Sequence, residues 1–120
     1  MTVQSGDIQR FDTDARLSKV VVANGFAFLA GLTARDLSVG VREQTADILE
    51  QIDGYLAKAG TDKSRLVSVN IWLKDIGQFR DMNEVWIGWV IPGQVPARAT
   101  VQADLASEDI LVEIMAKALV

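Results

Sequence analysis

Two periods of apolar residues run along this chain. Residues 19–23 and 26–31 are rich in β-forming side chains and flank Asn24-Gly25. That dipeptide is a strong signal for a two-residue hairpin turn, so a hairpin is predicted to open the fold. From residue 38 to 60, Val41, Thr45, Ile48, Leu49, Ile52, Tyr55, Leu56 and Ala59 follow helical spacing, while Arg42, Glu43, Asp47, Glu50 and Lys58 fill the other side. Ser38 is suited to cap this helix and Gly60 to end it. Strict alternation follows over residues 67–74, with Val67, Val69, Ile71 and Leu73 as the predicted buried set. Asp75 and Gln78 have capping-box spacing, and Phe79, Met82, Trp86 and Trp89 recur as a second helix up to Pro92-Gly93. Residues 97–105 alternate again, and 110–119 form an apolar run broken only by Glu113 and Lys117.

The predicted order is therefore hairpin, helix, strand, helix, strand, strand, with no linker or internal repeat, in a single domain spanning residues 1–120. Such an order suits an α+β sandwich of two layers, one sheet with both helices on one face. The other face then needs cover. Trp72 and the small or apolar residues of the last strands are expected to point there, which favours self-association over a monomer.

Composition narrows the chemistry. The 120 residues are 49% hydrophobic and only 7% aromatic, which predicts one aliphatic core. There is no histidine and no cysteine, which removes imidazole acid/base chemistry, thiolate nucleophiles, disulfides and Cys/His zinc sites together. A net charge of -4 with no basic stripe argues against nucleic acid. Residues 1–11 are polar and mixed in charge, unlike a signal peptide, and no apolar run matches a membrane helix, so a cytoplasmic protein is expected. No phosphate loop, dinucleotide fingerprint or metal-ligand spacing is present, and no cofactor is expected.

Two charged residues interrupt apolar strands. Arg98 stands between Ala97 and Ala99, on a face shared with Thr100. A guanidinium there is costly to leave unpaired, and its fork matches a carboxylate. Its partner is either an acid of the protein, such as Asp104, Glu113 or another subunit's acid, or the carboxylate of a ligand. Glu113 has Leu111 and Met115 at its alternate positions, where a solvent-facing residue would have polar ones. It either pairs with Arg98 or Lys117 or holds a water molecule for reaction. Ser18 and Ser68 have no histidine or cysteine base, Asp104, Glu108 and Asp109 fall in a predicted turn, and Trp86 and Trp89 read as core or interface.

Pro96-Ala97-Arg98-Ala99-Thr100-Val101, followed fifteen residues after the arginine by Glu113 within Val112-Glu113-Ile114, resembles the signature of the RidA/YjgF family, also called endoribonuclease L-PSP. Ser18-Lys19-Val20-Val21, Glu43-Gln44, Ala59-Gly60, Asp75, Phe79 and Met82-Asn83-Glu84 extend the resemblance over nearly the whole chain. It implies a chorismate-mutase-like (ferredoxin-like) fold assembled as a homotrimer, with clefts between subunits. It further implies cofactor-free hydrolysis of 2-imino acids and enamines, such as 2-iminopropanoate and 2-iminobutanoate, to 2-keto acids and ammonia. Arg98 would grip the substrate carboxylate and Glu113 would position the water, with Thr100 and Asn83 completing the pocket. Leu17 stands where the best-studied branch has tyrosine, Ala30 where it has serine, and Asp104 where a small or basic residue is usual. A non-catalytic sensor or chaperone for small carboxylates, and the ribonuclease or translation inhibitor of the older family name, are the rival expectations.

Overall fold

A computed structural model describes residues 7–120, so residues 1–6 of the polar N-terminal stretch lie outside the described part. The elements are β1 (Ile8–Thr13), β2 (Ser18–Ala23), β3 (Phe26–Leu29), α1 (Val41–Lys58), β4 (Leu66–Leu73), α2 (Phe79–Trp89), β5 (Ala97–Gln102) and β6 (Val112–Leu119). The six strands form one mixed sheet in the order β1-β2-β3-β6-β4-β5, parallel only between β4 and β5. Both helices lie on one face, giving the α+β architecture the sequence predicts.

The hairpin forms at Asn24-Gly25, where both residues take the left-handed backbone that a tight two-residue turn requires (φ 52° and 84°). Its second strand ends at Leu29, two residues early, and Leu32 then bridges to Ile114. Strand β1 was not foreseen. Among its residues only Phe11 is even partly covered, and polar Gln9, Arg10 and Asp12 leave an edge strand without an apolar period. Asp12 also departs from regular strand backbone (φ 50°), and Lys58 at the end of α1 donates to both of its carboxylate oxygens.

Helix α1 is shorter than predicted at its start. Ser38 does not cap it; its hydroxyl and backbone N–H bond Asp36, and Gly40 stands at the cap position with no side-chain bond. Gly60 follows its last turn and donates to the Ala57 carbonyl, as an end signal should. The predicted capping box of α2 is also absent. Asp75 instead accepts from the Gly77 N–H, opening a short 3-10 turn at Ile76–Gln78 from which the helix continues, and Gln78 Oε1 is buried without a partner.

In β4 a register irregularity between Leu66 and Ser68 shifts the alternation. Leu66 replaces Val67 in the buried set, and Val67 is exposed. Beyond that point Val69, Ile71 and Leu73 pack under the helices with Ile48, Ile52, Leu56, Met82 and Ile114. The fully buried Gln44 ties the loop after β5 to α1, donating to the Asp109 carbonyl and accepting from the Leu111 N–H. Two of the bonds of that amide support the start of β6, the strand that carries Glu113, and a third goes to the Val39 carbonyl ahead of α1.

Candidate functional site

Register decides where the two singled-out residues point. Arg98 pairs with Val69 and Thr100 with Ile71, so both project from edge strand β5 toward the helix-covered face. Glu113 pairs with Trp72 and Met115 with Asn70, so both project from β6 to the bare face. Arg98 and Glu113 of one chain therefore stand on opposite sides of the same sheet and cannot bond each other.

Arg98 is held from the side by α2. Its Nη1 donates to Asn83 Oδ1 at 2.7 Å, and its guanidinium carbon lies 5.3 Å from the Trp86 ring centre and 5.5 Å from that of Phe79, within cation–π range. Among the described residues it makes no ion pair, so the expected alternatives of Asp104 or Glu113 as partner within the chain are not realised. Burial alone pushes its pKa below the ordinary value, yet it remains a cation at neutral pH. Most of the fork is left for an incoming acceptor. Thr100 Oγ1, on the same face, is buried and has no partner.

Glu113 is half-buried and lies over the backbone of Gly31. A Cβ built on Gly31 would overlap Oε2 of Glu113 and stand 3.2 Å from its Cδ, so only glycine leaves room for the carboxylate in this position. Lys117, the other expected partner, does not pair with it among the described residues. Ala30, next to Gly31, donates its N–H to the Lys19 carbonyl. Leu17, two residues before Lys19, is 44% exposed, and its backbone is tied to Asp14, whose carboxylate accepts from the N–H groups of Arg16 and Leu17. That pair of bonds lowers the Asp14 pKa. The structure thus makes two half-sites. One is Arg98, Thr100 and Asn83 with aromatic walls; the other is Glu113 over Gly31, with Ala30 beside it and Leu17 at the start of neighbouring β2.

Sequence reasoning missed Gly31 and the role of Trp86 as a wall of the arginine. A glycine at the end of the β-rich 26–31 run was the available signal for the first. Nothing in the helical spacing distinguishes Trp86 from a core tryptophan, and at 5% exposure it is both. Asp104 sits after β5 outside any strand or helix. A larger groove, about 610 Å³, runs beside α1 but contains neither Arg98 nor Glu113; four of its charges pair as Lys58–Asp12 and Arg35–Glu50, and Lys19 also lines it.

Comparison with known proteins places this arrangement. The family model described as endoribonuclease L-PSP matches residues 7–120. A RutC family protein of Haemophilus ducreyi is 40% identical over 90% of this chain and 92% of its own, and the RutC family protein YoaB of Escherichia coli is 41% identical over 89% and 93%. Among solved structures, a YjgF family member from Neisseria meningitidis superposes with a TM-score of 0.92 at 43% identity, covering 97% of both chains. A putative translation initiation inhibitor from Salmonella typhimurium gives 0.87 at 40% identity over 94% and 97%. The chain belongs to the endoribonuclease L-PSP (RutC/YjgF) family.

Proposed function

We propose that this protein hydrolyses reactive 2-imino acids to 2-keto acids and ammonia, at sites formed between copies of itself. The observation that carries the reading is Arg98: a desolvated guanidinium steadied by Asn83 and two aromatic rings, with no ion pair to an acid among the described residues. Such a group favours a planar anion that accepts two parallel hydrogen bonds.

The chemistry asks little more. A carbon double-bonded to nitrogen and joined to a carboxylate is already electrophilic. Once Arg98 holds the carboxylate, Glu113 takes a proton from a water molecule as its oxygen bonds to that carbon, and returns the proton to the nitrogen. The new hydroxyl then gives up its proton, which Glu113 passes to the nitrogen as the carbon–nitrogen bond breaks, releasing ammonia and leaving the carbonyl of the keto acid. Because Glu113 faces away from Arg98 in one chain, the two must come from different subunits. The bare face, with Phe28, Trp72, Val101 and Met115, is the surface that assembly would cover, and a homotrimer is the state the family resemblance implies.

The test is keto-acid release from imines generated in place by an amino-acid oxidase. Arg98→Ala is expected to lose at least about a hundredfold in kcat/KM while staying folded and assembled, as read by circular dichroism and light scattering. Undiminished turnover in that variant refutes the mechanism. Keto-acid binding without imine turnover by the wild type would select the sensor reading instead. The RNA-cleaving reading draws on the family's name alone: the chain carries a net charge of -4 without histidine, and Arg35, Arg42, Lys58 and Lys74 are paired with the protein's own acids.

A further inference from the structure

Beside Arg98 the protein carries apolar surface that hydrolysis of the shortest imines does not use. The last turn of α2 and the connection to β5 place Ile87, Val90, Pro92 and Val95 around a cleft of about 430 Å³, whose polar end is Asn83 and Arg98. Ile87 is 63% and Val95 58% exposed, the two largest values among the exposed large apolar side chains of the described residues. Single exposed aliphatics are ordinary. A cluster of them around one cation, in a hollow of ligand size with no acid in its lining, is shaped for an amphiphilic anion.

We infer that the site takes 2-imino acids with large apolar side chains, branched aliphatic or aromatic, with the side chain seated against Ile87 and Val95. The inference rests on the reading of Arg98 as the carboxylate clamp. In a 2-imino acid the first side-chain carbon lies about 2.5 Å from the carboxylate carbon. A carboxylate on the guanidinium therefore delivers the side chain to the cleft that the same arginine lines. Leu17 and Ala30 agree with this preference, since neither offers a polar side chain to a small hydrophilic substrate.

The experiment is calorimetric titration of the assembled full-length protein with pyruvate, 2-oxobutanoate, 4-methyl-2-oxopentanoate and phenylpyruvate, which stand in for the products. Three further carbon atoms, partly covered, should bring about tenfold tighter binding of 4-methyl-2-oxopentanoate than of pyruvate. In an Ile87→Ser, Val95→Ser double variant that ratio should fall to about twofold. Equal affinities in the wild type, a ratio preserved in the double variant, or binding of no oxo acid at all would overturn the inference. Imine turnover separates the two readings. Arg98-dependent hydrolysis of 2-iminopropanoate with a flat binding series defeats only the side-chain preference, whereas a steep series without turnover of any imine defeats only the deaminase.

Discussion

On the helix-covered face of the sheet Val69, Ile71, Leu73, Ile114 and Ala116 are closed from water. On the bare face their immediate sequence neighbours Asn70, Trp72, Glu113 and Met115 are only half-covered. The first face holds the chain together; the second is the surface of the sheet that no helix covers. The two singled-out charges divide between the faces, with Arg98 at the margin of the packed side and Glu113 on the bare side. A fold that separates its arginine from its carboxylate in this way can join them only by meeting another copy.

The contrast is sharpest at adjacent residues of β4. Ile71→Ala should open a cavity in the core and cost about 2–5 kcal/mol of protomer stability in urea unfolding. Trp72→Ser, one residue on, should leave the secondary structure intact but weaken assembly, seen as a lower mass in light scattering at low concentration. If both substitutions lowered protomer stability alike, the bare face would be core and the comparison would fail. A smaller effect is expected from Gly31→Ala. The added methyl must displace the Glu113 carboxylate, lowering kcat/KM by about a hundredfold, or about 2.7 kcal/mol, with little loss of melting temperature. Unchanged kinetics there would mean that the position of Glu113 is immaterial.

The smallest effect concerns neither face. Asp47 accepts hydrogen bonds from the Arg35 guanidinium and backbone N–H and from Gln51, which hold its pKa below the ordinary 3.8. A carboxylate with a depressed folded pKa stabilises the protein above its unfolded value, and the contribution disappears as pH falls through the folded one. Asp47→Asn should therefore cost about 0.5–1 kcal/mol at pH 7. The wild type and variant should converge as the medium is acidified below about pH 4. A gap that persisted in acid would assign the loss to packing rather than charge.

Much of this was legible in the sequence, and the residues show why the rest was not. The helices and five of the six strands declare themselves, most of them because one side is packed against the core. β1 carries polar residues on an edge and has no such signature. Val67 reads as buried until the irregularity beside it resets the phase of β4, an event that depends on pairing with β6 rather than on local composition. Arg98 and Glu113 stood out because each interrupts an apolar run. Alternation along one strand cannot say whether residues on two different strands share a face; that follows only from the register of β4 with both its neighbours. The sequence could thus nominate both charges and still leave open a direct ion pair that the fold forbids within one chain.

The division of the site between copies is tested most directly by mixing two inactive variants. Arg98→Ala and Glu113→Ala proteins, unfolded together in equal amounts and refolded, should reassemble at random. A working site needs an intact Arg98 from one subunit and an intact Glu113 from its neighbour, so about a quarter of the sites, and about a quarter of wild-type imine hydrolysis, should return. Recovery of no activity from verified mixed assemblies would contradict the account.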